Sequence, residues 1–548
     1  MNQLLKKLHK IFLKICILQK VHGMSIVLIA IVFFFGALKN IGLPGLYMDA
    51  VNPDYIVANF LSGNAGAINH FPPYDSFPVL GQLYHGMTHF YFGVVFFEFF
   101  GMNIFSLRLL HALFGLGILI ATYILIFIAT RLKRIALPIV LIFATDPALI
   151  FSFRTQTYIT LTPMIWILLS VSLLLFLYKN NKNVYHEKWL LLISGWLFGF
   201  AFYGYFIYIF FAPAFLVAVY FVVRKNVASF KRNVAFWIGG VFLGSILYFY
   251  GYIRLIIEFG GFSGLLNGIT GLNVSGHDAG FLDRLSILFG YMTSVLSGTF
   301  QYFMIFLKEP DLMNGSIKLY IIGIVIILAS SLVVWQSKKN SLLNWFVVFV
   351  TSFYLIALCF ATRLGSHHMV VIMPILYVGL GVAFFEIYTL SFKMLSKKKQ
   401  LIATIIYGFI VVYLLALNIN FQSYIQKNLV KFGGVGTYSD SLFLLVEDAL
   451  RNPNLTYYVF DDWGFFAPFA FLTRGEIPYK LGLSREDLQK IECNKDLSFA
   501  YWGDKNDRIN NFAESIGHVI DRKIYYQRDK AISFTVIRVS ERFICGAE

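Results

Sequence analysis

The chain has 548 residues, 58% of them apolar and only 14% charged, where soluble globular proteins carry roughly 25% charged residues. With 59 Phe and 32 Tyr this is the composition of a polytopic membrane protein. The formal charge of +16 falls in short Lys/Arg clusters between apolar runs, which points to basic cytoplasmic loops and away from a nucleic-acid partner.

In chain order, a basic lead (Lys6, Lys7, Lys10, Lys14, Lys20) precedes an apolar run at 24–38, read as a first span with a cytoplasmic N-terminus. A crossing needs about 20 apolar residues. By that ruler further spans are expected at 104–130, 135–152, 157–178, 188–204, 206–223, 233–256, 317–335, 342–361, 369–390 and 401–420, giving about eleven. The clusters at Arg131 to Arg134, Lys179 to Lys188, Arg224 to Arg232, Lys338-Lys339 and Lys393 to Lys399 then share the side of the N-terminus. The loop at 40–103, the segment 257–316, the turn at 362–368 and the C-terminal region face the other side. Residues 87–103 are apolar but short, and are expected to lie along the interface. The stretch 285–307 is expected to be interfacial or re-entrant, behind a Gly-rich segment that is a candidate lid.

From 421 onward the composition is that of a soluble protein. Helix-like patterns at 439–450 and 484–491 and strand-like patterns at 456–460 and 534–539 predict a small extracytoplasmic α/β domain over 421–548, beside a membrane domain over 1–420. Within it, Asp461-Asp462-Trp463 reads as a strand-end turn, and the apolar FFAPFAFL that follows as a run able to rest on the membrane. Of the four cysteines, Cys493 and Cys545 lie where a disulfide is chemically permitted; none has metal-ligand spacing. Phosphate-loop and HExxH signatures are absent from the sequence, so cytosolic nucleotide chemistry has no support.

The ionisable residues gather at the outer face. Asp49, Asp54 and Asp75 lie in the first loop, His85 and His89 close it, and Arg108 heads the next span. Charge at a membrane boundary is expensive, so such clusters are functional candidates. His85 and His89 have the i, i+4 spacing of a helical metal pair, a pattern common by chance, and no metal is required by any motif. Asp146 before Pro147 reads as a helix cap, and His277-Asp278 as a solvated turn.

The order of these words resembles a known family. Asp49 in an early outer loop, the Phe100-Gly101 pair, Arg108-Leu-Leu-His-Ala-Leu-Phe-Gly115 opening a span and Thr145-Asp-Pro-Ala-Leu-Ile-Phe-Ser-Phe-Arg154 ending the next are similar to the GT-C membrane glycosyltransferases. The likeness is to the branch of the bacterial protein O-mannosyltransferases and lipid A aminoarabinose transferases, over roughly residues 24–180. It implies a bacterial cytoplasmic-membrane enzyme without a cofactor. Such an enzyme moves a sugar from a polyprenyl-phosphate donor to an extracytoplasmic glycan, lipid or protein. The family's loop carboxylate maps onto Asp49 as general base, but its acidic neighbour is replaced by Ala50, so the role lies between Asp49 and Asp54. Transfer from a lipid phosphate also needs cations to hold the leaving phosphate. Arg108 and Arg154, at outer helix ends, and His367 and His368 after Arg363 are the candidates. The plainer roles are a helix cap for Asp49, lipid-headgroup anchors for the arginines and interface residues for the histidine pair. The rival function is a transporter or lipid flippase, whose ionisable residues gather at the membrane midplane.

Overall fold

The computed structural model describes residues 19–63, 78–180, 187–224, 230–265, 279–336, 341–394, 396–451, 453, 456–482 and 496–540. The basic N-terminal lead as far as Lys14, Asp75, His277-Asp278, Cys16, Cys493, Cys545 and the helix expected at 484–491 lie outside them.

Helix α1 (Gln19–Ala37) leads to an outer loop holding α2 (Asp54–Leu61) and the two-stranded β1 (Leu80–Gln82) and β2 (His85–Gly86). Helix α3 (Thr88–Phe100) is followed by α4 (Ile104–Thr130), α5 (Lys133–Ala144), α6 (Pro147–Ser152), α7 (Tyr158–Leu161), α8 (Met164–Lys179), α9 (Glu187–Gly204), α10 (Ala212–Val223) and α11 (Phe230–Glu258). Then come α12 (Phe281–Ser297), α13 (Thr299–Phe306), α14 (Asn314–Trp335), α15 (Leu342–Cys359), α16 (Ile372–Met394) and α17 (Lys397–Phe432).

Among the described residues eight helices are long and apolar enough to cross a membrane. The other three expected spans coincide with α1, with α5 continued by α6, and with α9, so each expected segment is helical but eleven is not the count that length and hydropathy support. Helix α3 turns Phe90 and Phe97 inward and leaves Phe92, Val95, Glu98 and Phe99 exposed, the division expected of an interfacial helix. The stretch expected at 285–307 is two helices, α12 and α13, broken where Gly298 takes a left-handed φ of +84°.

Two devices hold the bundle. Gly195 and Gly199 of α9 face Gly240 and Gly244 of α11, and a Cβ on any of the four would stand 2.1–2.2 Å from a carbonyl oxygen of the partner helix. Small residues four apart let the backbones touch. The second is a buried ion pair. Asp146 caps α6 through the Ala148 amide at 3.0 Å, as expected, and also meets Lys318 Nζ of α14 at 2.8 Å and the Tyr377 hydroxyl of α16 at 2.5 Å.

Helix α17 runs unbroken out of the expected span at 401–420 to Phe432 and into the C-terminal region. There α18 (Leu442–Arg451), β3 (Thr456–Phe460), α19 (Trp463–Leu472), β4 (Tyr479–Leu481), β5 (Asp496–Trp502), α20 (Asp507–Ile516), β6 (His518–Tyr526) and β7 (Ile532–Ser540) form a five-stranded sheet in the order β4-β3-β5-β7-β6. Strands β4, β3 and β5 are parallel, and β7 and β6 antiparallel. The period of two splits the sheet: Val459, Phe499 and Ile537 face α20, whereas Tyr458, Phe460 and Phe534 join the core shared with the outer loops. The FFAPFAFL run does not rest on the membrane. It is α19, capped by Asp462, and its phenylalanines are buried, Phe466 against Tyr55 and Phe471 against Phe97 with ring centroids 5.2 Å apart in each pair.

Candidate functional site

The loop after α1 meets the C-terminal region at one end of the bundle. Gly45 donates to the Tyr438 carbonyl at 2.8 Å, and a Cβ on Gly45 would stand 2.0 Å from the Ser439 carbonyl oxygen, so this crossing needs glycine. Just beyond it a single 3₁₀ turn, Met48–Ala50, presents Asp49.

The two candidate carboxylates have opposite surroundings. Asp49 is half-buried, and its charge is within electrostatic range of the hydroxyls of Tyr84, Tyr205 and Tyr438. Desolvation raises its carboxyl to about 6, against the opposing hydrogen bond from the Asn52 side chain. Asp54, at the start of α2, is 0% exposed. Its Oδ2 takes the Tyr158 hydroxyl at 2.5 Å and His111 Nε2 at 3.0 Å, and its Oδ1 has no partner among the described residues. One carboxylate keeps part of its surface exposed; the other is closed in.

Arg108 and Arg154 differ from the open anion seats expected of them. Both are buried. Arg108 donates to the carbonyls of Ile41, Leu43 and Pro44. Arg154 donates to those of Ala37, Lys39, Asn40 and Leu43 at 2.6–3.2 Å. The planar guanidinium fork suits this task, because it satisfies loop carbonyls that would otherwise be buried without partners. The two arginines therefore clamp the segment that leads to Asp49.

The histidines fall into two sets. His85 sits on β2 and His89 in the first turn of α3, so their i, i+4 spacing is not the helical one a metal pair needs. Burial pushes His85 down to about 4 and His89 to about 3, which leaves both rings neutral near pH 7. His367 and His368 lie in the 3₁₀ turn Ser366–Val371 and are half-buried, their ring centroids 3.9 Å apart. His368 Nε2 meets the Tyr205 hydroxyl at 3.2 Å, and the Tyr205 ring stacks on His85 and tilts against Tyr84. Arg363 is exposed just before this turn. Tyr84, Tyr205, His368 and His367 thus form one run of neighbouring rings, with Asp49 within electrostatic range of Tyr84 and Tyr205. Among the described residues no group of three His, Cys, Asp or Glu is arranged to hold a metal.

Tyr84, Tyr205, His111 and Tyr158 escaped the sequence reading. His111 had a signal, lying one helical turn beyond Arg108, and Lys318 had one as the only charge inside α14. The tyrosines had none, since 32 of them are spread through an aromatic-rich chain.

Comparison with known proteins agrees with this architecture. Residues 24–257 match the family model described as dolichyl-phosphate-mannose-protein mannosyltransferase. Among solved structures, ArnT from Cupriavidus metallidurans bound to undecaprenyl phosphate is similar at 12% identity and a TM-score of 0.58, over 96% of this chain and 99% of that one. The apo oligosaccharyltransferase of Archaeoglobus fulgidus is similar at 13% identity and a TM-score of 0.51, over 88% and 69%. The same oligosaccharyltransferase tethered to an acceptor peptide gives 12% and 0.50, over 94% and 74%. No curated protein matches in sequence. The chain has the fold of the GT-C membrane glycosyltransferases, and its segment 24–257 matches their mannosyltransferase family model.

Proposed function

We propose that the protein transfers a sugar from a polyprenyl-phosphate donor to an extracytoplasmic acceptor, with Asp49 as the general base. The observation that carries this reading is the contrast between the carboxylates: Asp49 is only partly buried and has its carboxyl raised to about 6, while Asp54 is fully buried and closed off by Tyr158 and His111. A base must reach the acceptor's proton and hold a pKa near the working pH, and only Asp49 meets both conditions. His367 and the exposed Arg363, at the turn that His368 ties to Tyr205, would supply donors for the leaving phosphate, while the nitrogens of His368 are held by the Gly365 amide and the Tyr205 hydroxyl. Arg108 and Arg154 serve by holding the Asp49 loop. Support for the donor class comes from the fold shared with ArnT, a protein solved with undecaprenyl phosphate bound, and for a macromolecular acceptor from the archaeal enzyme tethered to its peptide. Fold alone does not carry function, so the test is biochemical.

The purified chain is incubated with membrane extract and a panel of radiolabelled undecaprenyl-phosphate sugars. Wild type is expected to release sugar from at least one donor, and Asp49→Asn to lower the rate by about 10²–10⁴-fold, the usual contribution of a general base. Full activity of Asp49→Asn would overturn the assignment. Consumption of no donor by wild type would turn attention to transport.

A further inference from the structure

The Asp49 turn is tethered from below by groups that the proposed reaction does not use. Asn52 is the link: its side chain hydrogen-bonds Asp49, and its carbonyl accepts from the Tyr158 hydroxyl at 2.7 Å. The same hydroxyl meets Asp54 Oδ2, so its single proton is shared between two points of one loop, on either side of Pro53. Behind Tyr158 stands His111 of α4, 3.0 Å from Asp54 Oδ2 and stacked on the phenol ring at 3.8 Å with the planes 21° apart. His89 of α3 closes the other side edge-on at 5.0 Å. Asp54, His111, Tyr158 and His89 are each at most 2% exposed.

We infer that Tyr158, backed by the His111 and Asp54 pair, is the positioning device for Asp49, fixing the base loop to the helical scaffold of α4 and α7. This rests on the reading of Asp49 as the base. Stability alone explains the cluster poorly. Asp54 Oδ1 and His89 Nε2 are buried without partners among the described residues, and an apolar filling of the same volume avoids that cost. What the polar cluster gives instead is direction. Two hydrogen bonds from a ring held between imidazoles set where Asn52 and Asp54 sit, and Asn52 then sets the Asp49 carboxylate. Tyr158 and His111 reach no reacting atom and act through the loop.

The test reads Asp49 directly. The full-length protein in lipid nanodiscs is treated with dicyclohexylcarbodiimide, which modifies protonated carboxyls, and labelling of the Asp49 peptide is followed by mass spectrometry against pH. Of the groups facing Asp49, Tyr84, Tyr205 and Tyr438, with Asn52 beside it, are left intact in every variant; Tyr158, whose hydroxyl is also within electrostatic range, is changed only in Tyr158→Phe and stays in place in the His111 variants. Wild-type labelling should fall as pH rises through about 6. Tyr158→Phe keeps the ring and removes the tether; water then reaches Asp49, and the midpoint should drop by about one unit, lowering labelling at pH 7 about tenfold. His111→Leu should do the same, and His111→Gln, which keeps a donor, should restore the wild-type curve. Wild-type midpoints in both Tyr158→Phe and His111→Leu would overturn the inference. Should His111→Leu fail to fold, Tyr158→Phe decides alone. Sugar release by Asp49→Asn is measured in parallel: its persistence would remove the base assignment and leave the tether visible in the labelling curves, so the two failures are distinct.

Discussion

A carboxylate in this chain takes its role from what surrounds it. Asp49 is a half-buried acid held at about 6, so as a base it works only when ionised. The transfer rate at limiting donor should therefore rise about tenfold per pH unit below 6 and level off above it. A rate that fell through that window would assign Asp49 to the acid form and end its role as base. Asp146 is the opposite case, a charge kept inside the bundle by Lys318 and Tyr377. Removing one partner of such a pair strands the other, at a cost of about 3–5 kcal/mol, whereas removing both is nearly neutral. Lys318→Ala should thus melt well below wild type in detergent, and Lys318→Met with Asp146→Asn should recover most of the loss. Equal melting of the single and double variants would show that the pair is not what holds α6 to α14. At this scale the sequence was readable where a residue stands alone against its surroundings, as Asp49 and Asp146 do. It was silent on which groups meet, as Tyr158 meets Asp54 and Lys318, itself marked as a lone charge in α14, meets Asp146, because nothing local encodes a meeting across 104 or 172 residues.

Helices were legible because length and apolarity are written locally, and the expected spans fall on helices throughout. Their contacts were less so. A close contact in the bundle is the α9 and α11 crossing, visible in the sequence as two glycine pairs four residues apart, a pattern weak on its own in a chain with 43 glycines. The structure makes it testable with an internal control. Gly240→Leu places a side chain against the Leu192 carbonyl, 2.1 Å from where its Cβ would stand, while Gly239 next to it has nothing within 4 Å. Overpacking of this kind costs about 1–3 kcal/mol or more. The melting temperature should fall for Gly240→Leu and stay near wild type for Gly239→Leu. Equal shifts would mean that helix propensity, not close approach, governs the site. The FFAPFAFL run illustrates the converse error: eight apolar residues look the same whether they cover a membrane or a protein core, and only the partners Tyr55 and Phe97 decide it.

At the scale of the whole molecule, α17 is the yardstick for orientation. It begins at the exposed Lys397-Lys398-Lys399 cluster and ends at Phe432, where Gly433 turns the chain toward the sheet. At 1.5 Å per residue its 36 residues outrun a bilayer core of about 30 Å, so the helix is long enough to set its two ends in different compartments. The charge rule predicts that the basic end lies in the cytoplasm, and with it that the sheet, the Asp49 loop and the histidine pair stand outside together. Single cysteines on a background in which Cys16, Cys359, Cys493 and Cys545 are serine test this directly. Glu514→Cys, exposed on α20, should react with a membrane-impermeant maleimide in intact cells, and Lys398→Cys only after the membrane is opened. The reverse pattern would place Asp49 on the cytoplasmic side, where a sugar donor would have to be used before it crossed, and the acceptor would then have to be sought among cytoplasmic molecules.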